Sequence, residues 1–210
     1  MIHPLYPPIC AFFCSIPQNP KIKMFFASIY ATINIIYDRS NQERNPSMRT
    51  IEILDIKEFM QLLLQSDTFD SYSLVSGEIH TDMLYTIDGH INQDFFSEEE
   101  RDTYALSEHT CLPWILAKQK VFLLIKGKKT PSGMKLVLRL PESMIAQTIQ
   151  QSTLQPNDIS GIYLNILFQG QKLNVTCGIS YNIFTLNKDL EDNISSIFIT
   201  LFKSKNTTCQ

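Results

Sequence analysis

The stretch KGKKTPSG at 126–133 sets three lysines among two glycines and a proline. Lys126, Lys128 and Lys129 are followed by Lys135 and Arg139, which share the polar side of an alternating run. Ammonium groups beside a glycine-containing turn, whose amides can form a nest, suit a phosphate or another anion. The spacing is not that of a P-loop, because Gly133 is followed by Met134 rather than by Lys and a hydroxyl residue. The plainer reading is a solvated hairpin tip whose lysines guard a sheet edge against aggregation.

Other polar groups are weaker candidates. His80 and His90 lie among Glu78, Asp82 and Asp88. A metal would need three or four of these groups to converge, but a hairpin turning at Thr81-Asp82 sends the two histidines apart. His109 and Cys111 are two residues apart, and they would share a face only in a strand. A Cys–His nucleophile also needs a third group to orient the ring. Cys177 alternates with Val175 and Leu173, which places it in a core. The acidic run Ser97–Asp102 reads as a helix start whose carboxylates suit the dipole. Glycine-rich nucleotide fingerprints, H-E-x-x-H, G-x-S-x-G and CxxC clusters are missing, so no catalytic residue, cofactor or metal is assigned.

Composition narrows the class. The chain has 210 residues, 44% hydrophobic and 19% charged, with a net charge of −3. That is an ordinary globular balance without the basic excess of a general nucleic-acid binder. Five scattered cysteines fit reduced thiols in a cytoplasmic setting rather than a disulfide framework.

The composition changes at Met48. Residues 1–47 hold six of the ten prolines and none of the seven glycines. They also hold four of the 18 basic and two of the 21 acidic residues, leaving 14 basic and 19 acidic in 48–210. The apolar run 24–37 is 14 residues long, short of the roughly 20 needed to span a membrane. We read 1–47 as a leader outside the fold and a product of an upstream start. Asn41-Gln42-Glu43-Arg44 can be encoded by a purine run that contains a bacterial ribosome-binding core. A signal or anchor is the alternative, and an ordered N-terminal element a third. With a start at Met48, no membrane segment is expected.

From Met48 onward the elements follow from periodicity. Thr50–Leu54 reads as a strand, and Asp55 with Glu58 as the capping box of a helix. That helix carries Ile56, Phe59, Met60, Leu63 and Leu64 on one stripe. Residues 72–80 and 83–87 read as paired strands, and Ser97 with Glu100 as the cap of a short helix. Residues 120–141 read as a hairpin, with Val121–Ile125 its central strand and 134–140 its alternating partner. Pro141 opens a helix through Met144, Ile145 and Ile149. Strands over 162–168 and 173–177 follow, turning at Gly170-Gln171, and Tyr181–Leu186 adds another. Asn187 caps a last helix, with Leu190, Ile194, Ile197, Phe198, Leu201 and Phe202 inward. The end, 204–210, should fray.

The expected fold is therefore one α+β domain over 48–210, an antiparallel sheet with packed helices. Its strand–helix–strand–strand order occurs twice, about 85 residues apart, as a duplicated unit would give. The order is also similar to the unit of DNA sliding clamps, a likeness of topology alone.

The segments ILDIKEFMQLLLQSDTFDSYSLVSGEIHT, YTIDGHINQDFF, LIKGKKTPSGMKLVLRL and GISYNIFTL carry a further resemblance. Together, from about Met48 to Lys203, the chain resembles a family of small bacterial proteins known only as a domain of unknown function. The resemblance implies no activity, ligand or catalytic residue.

Two functional classes follow. The first is a non-catalytic binding or interaction module that meets a protein or a phosphate-bearing ligand through Lys126, Lys128, Lys129, Lys135 and Arg139, or through a sheet edge. The second is an enzyme whose polar site assembles from turns near 78–90. Convergence of His80, His90 and His109 with Glu78, Asp82 and Asp88 would favour the second.

Overall fold

The computed structural model describes residues 50–149, 155–184 and 189–209. The chain divides into two units, Met1–Pro46 and Ser47–Gln210, and the described residues belong to the second.

Six strands form one antiparallel sheet: β1 (Thr50–Ile53), β2 (Ser73–His80), β3 (Leu84–Asp88), β4 (Gly133–Arg139), β5 (Ile159–Gln169) and β6 (Lys172–Tyr181). Their order across the sheet is β1-β6-β5-β4-β2-β3. Among the described residues five α-helices accompany them: α1 (Ile56–Leu64), α2 (Glu98–Thr103), α3 (Trp114–Ile125), α4 (Glu142–Ile149) and α5 (Asp189–Ser204). The class is α+β, as the alternation of striped helices and period-two strands requires.

Alternation decides which sheet face is covered. Ile51, Leu173, Val175, Leu164, Ile166, Leu136 and Leu138 are buried together in one core. Their neighbours Glu52, Asn174, Asn165 and Lys135 point the other way and stay at least partly exposed. α5 packs on β6, α3 on β2 and α1 against α3, so the helices cover the apolar face. The Phe59 and Phe202 rings meet edge-to-face, centroids 5.4 Å apart. Trp114 is fully buried and donates its indole N–H to the carbonyl of Leu63 at 2.9 Å. Lys118 ties α3 to the chain after α1, bonding the carboxylate of Asp70 and the carbonyl of Ser66.

Local chemistry behaves as expected at several boundaries. Asp55 accepts from Glu58 N at 3.1 Å and so caps α1, but the Glu58 side chain does not return a bond, so the expected box is only half made. Ser97 and Glu100 form a complete capping box. Gly170 and Gln171 both take positive φ, 58° and 65°, the geometry of a two-residue hairpin turn.

Four expectations need correction. First, Val121–Ile125 is not a strand, and 120–141 is not a hairpin. The residues close α3, and KGKKTPSG links that helix to β4. The run WILAKQKVFLLI is apolar around nearly its whole circumference, so periodicity alone does not separate helix from strand. Burial separates them: Trp114, Ala117 and Val121 are buried at helical spacing, while Leu123 is 68% exposed.

Second, the chain end does not fray at once. Thr207 is buried, Leu54 N donates to Thr208 O at 2.9 Å, and Cys209 pairs with Ile53. The tail thus covers the outer edge of β1. Third, Ile197 is 41% exposed rather than inward. Fourth, β6 runs on to Tyr181 and no strand continues over 182–184. The rest of that expected strand and the Asn187 cap lie outside the described residues.

The strand–helix–strand–strand order does recur, as β1-α1-β2-β3 and β4-α4-β5-β6. The arrangement differs between the copies. β4 lies beside β5, whereas β1 is separated from β2 by three strands.

Candidate functional site

The loop after α3 roofs a cleft of about 280 Å³ where the core opens at the end of the sheet. Its walls are apolar. Met134 and Phe168 are cross-strand partners on β4 and β5, Ile56 and Met60 come from the first turns of α1, and Ile125 ends α3. Lys128, Lys129 and Pro131 form the rim. The sequence produces this arrangement locally. Asp55 starts α1 just after β1, so the first helical turns stand over the sheet end. The short loop then holds its lysines where α3 stops and β4 begins. An engineered apolar cavity of about 150 Å³ holds a benzene, so this cleft has room for one bulky apolar side chain or ring.

The five cations expected to act together are placed in three locations. Lys128 and Lys129 are exposed on the cleft rim, and neither takes part in an ion pair among the described residues. Lys126 leans over the Phe122 ring, 5.7 Å from its centroid. Lys135 is on the open sheet face, opposite Glu78 and Leu167 in register. Arg139 is at the far end of β4, six residues from Gly133, or about 20 Å at strand rise. There it bonds Glu142 at 2.5 Å and the Ser160 carbonyl at 3.2 Å. No residue of 126–133 has a positive φ, so the loop lacks the alternating backbone of an anion nest. Any anion would be held by the lysine side chains.

The histidines and carboxylates do not meet in a cleft. His80 sits at the turn end of β2, over Gly133, and Asp82 accepts from the Thr81 hydroxyl. Glu78 faces Thr86 and Lys135. Asp88 and His90 are paired at the other end of the hairpin, with the His90 Nδ1 2.6 Å from Asp88 Oδ1. No group of three potential ligands that could hold a metal occurs among the described residues. One contact escaped sequence reasoning: Cys111 lies opposite His90, not beside His109 alone.

Residues 61–209 match the model of a family of unknown function (DUF5721). The chain belongs to that family. Comparison with the curated proteins and with the solved structures gives no match. The DUF5721 region takes in Lys128, Lys129, Met134 and Phe168 but begins after Ile56 and Met60. Cys111, His90 and Asp88 lie within it as well. No helix among the described residues of this DUF5721 chain is long and apolar enough to cross a membrane.

Proposed function

We propose that the protein is a non-catalytic binding module whose cleft seats a bulky apolar side chain of a partner protein, flanked by acidic residues. One observation carries the proposal: an apolar-walled cleft whose rim presents Lys128 and Lys129 with no carboxylate partner among the described residues. The walls remove apolar surface from water, at roughly 25 cal/mol per Å². The lysines select partners carrying negative charge and reject basic ones. Lys126 stands close enough along the chain to add to that field, whereas Lys135 and Arg139 would act only on a ligand that wraps the open face.

The probe 8-anilinonaphthalene-1-sulfonate joins an apolar ring system to a fixed anion. Two exposed charge contacts of about 0.2–1 kcal/mol each predict that Lys128→Ala/Lys129→Ala weakens its binding on the order of 10-fold. Thr130→Trp, which fills the cleft from an exposed loop position, abolishes it. An acetylated Asp-Asp-Leu-Phe-Asp peptide displaces the probe. Displacement by phenyl phosphate but not by the peptide would make the occupant a small phosphate ester. Equal probe binding by wild type and both variants overturns the proposal.

The same reading has the protein in the cytoplasm of a bacterium, with 48–210 as its working domain. The scattered, odd cysteine count and the change of composition at Met48 support this. Cooperative urea unfolding of a 48–210 fragment tests the domain limits, and an unfolded fragment beside a folded full chain would overturn them.

A further inference from the structure

At the end of the sheet away from the cleft, three reactive side chains share the open face. Gly89 and His90 prolong the line of β3 beyond Asp88. Ile91 N donates to Thr110 O at 3.1 Å, and Leu112 N donates to Gly89 O at 2.8 Å. These two bonds flank the pair His90↔Cys111. The pair is therefore of the non-hydrogen-bonded kind, in which Cα atoms approach to about 4.5 Å and the side chains are closest. Asp88, two residues before His90, faces the same side. Its Oδ1 accepts from His90 N at 3.0 Å and lies 2.6 Å from His90 Nδ1.

Chemistry fixes the roles. The backbone and ring bonds from His90 hold the Asp88 carboxyl below its ordinary range. An ionised carboxylate has no proton to give, so Nδ1 is the donor and Nε2 of the neutral ring keeps its lone pair. Cys111 is half-buried. Ser73 pairs with Arg139 on one side and with Pro113 on the other, which brings Arg139 within one strand of Cys111; burial raises the thiol above its ordinary value, Arg139 opposes that, and Asp88 adds to it. At rest the sulfur is thus protonated and needs a base to react. No hydrogen bond joins Cys111 to His90 among the described residues; the reaction requires the Cys111 side chain to turn about χ1 toward Nε2 while the ring stays on Asp88. Nucleophile–base contacts are commonly looser before a substrate arrives.

We propose that Cys111 is a reactive thiol, with His90 as its proton acceptor, Asp88 orienting the ring and Arg139 drawing in a small anionic disulfide. Nε2 takes the thiol proton as the Cys111 sulfur attacks one sulfur of the disulfide. The old S–S bond breaks, a mixed disulfide forms on Cys111, and the second sulfur departs as a thiolate that the imidazolium can protonate. Cys111 is oxidised and the departing sulfur is reduced, so no further oxidant is needed.

The test uses the full chain with Cys10, Cys14 and Cys209 changed to Ser, leaving Cys111 and the buried Cys177. The dianionic disulfide 5,5′-dithiobis(2-nitrobenzoate) is mixed in excess, and release of the coloured thiolate is followed. At pH 7, His90→Gln should slow the Cys111 phase at least 10-fold and Asp88→Asn at least 3-fold. His90→Gln should also change the shape of the pH–rate profile, leaving only the dependence that thiol ionisation gives. Arg139→Gln should slow this reagent but not the neutral disulfide 4,4′-dithiodipyridine. A His90→Gln rate within twofold of the parent overturns the proposal. Equal slowing of both reagents by Arg139→Gln overturns the role given to Arg139. Unfolding exposes thiols and speeds the reaction, so a folding defect cannot imitate the expected loss.

Discussion

A single methyl group at Gly89 should be the most damaging small change in the sheet. A Cβ built there would lie 1.8 Å from the carbonyl oxygen of Leu74, 2.6 Å from its carbon and 2.8 Å from the oxygen of Val75. All three atoms are backbone, so no side chain can swing aside. Relief requires the 89–91 segment to move more than 1 Å from β2. Gly89 N donates to Val75 O at 3.0 Å and Leu112 N to Gly89 O at 2.8 Å, and Leu74 N donates to Leu112 O at 2.8 Å. A shift of that size breaks at least the first of these and strains the others. Each lost bond is worth about 1 kcal/mol, and each buried group left without a partner costs about 1–3 kcal/mol. Gly89→Ala should therefore destabilise by about 3–5 kcal/mol, a large part of the total for a small domain. Urea unfolding followed by fluorescence of the one tryptophan, the buried Trp114, measures this. Gly127→Ala is the control, because its added Cβ meets nothing nearer than 3.7 Å, and it should stay within about 0.5 kcal/mol of wild type. A Gly89→Ala loss below about 1 kcal/mol would refute the close approach of these strands.

Three other outcomes follow from the packing. In a strand, Val121 and Leu123 would share a face, but in α3 they diverge, so Leu123→Lys should be nearly neutral while Val121→Lys should cost more than about 3 kcal/mol. Equal losses on chemical denaturation would restore the strand. Removing 205–210 uncovers the edge of β1, and should cost about 1–3 kcal/mol and raise thioflavin-detected aggregation; an unchanged midpoint would show that the tail does not cover the edge. Burial pushes the Cys177 thiol from 9.0 to about 12, so the folded state holds that proton more tightly than the unfolded chain. Its contribution to stability is whole below pH 9 and is lost as pH rises toward 12, with a slope of up to about 1.4 kcal/mol per pH unit. Cys177→Val should flatten that alkaline slope, and an unaltered slope would place the thiol in solvent.

The elements that were legible announced themselves through one strong local signal. Asp55 and the Ser97–Glu100 box marked helix starts, and Gly170 marked a turn whose positive φ glycine takes without strain. The run of α3 had no such signal. Its apolar residues satisfy a buried strand and an all-round apolar helix equally, and only packing against Leu63 and β2 decides. The candidate site divides in the same way. Lys128 and Lys129 were visible as charges, but the walls of their cleft come from Ile56, Met60 and Phe168, which long-range register brings together. Cys111 was read with its chain neighbour His109 because spacing reports only local geometry. Its cross-strand partner His90 is 21 residues away, and the one hint was Gly89, a residue that a close backbone approach demands.

The two sites should also be independent, and that independence tests the sheet between them. The cleft lies on the covered face at the Gly133 end of β4, and Cys111 on the open face toward the Arg139 end. About 20 Å of strand separates those ends, beyond the range of about 7–10 Å within which substitutions couple. A rigid sheet transmits little between opposite faces unless it has two discrete arrangements. Lys128→Ala/Lys129→Ala should therefore leave the Cys111 reaction rate within about twofold, and His90→Gln should leave sulfonate-probe binding unchanged to the same margin. If blocking Cys111 with a small disulfide instead weakens the probe several-fold, β4 is not a passive spacer. The bulge in β2 between Leu74 and Ser76 would then be the first place to look for a second register, because Gly89 bonds Val75 there and the Ser73–Arg139 pair is next to it.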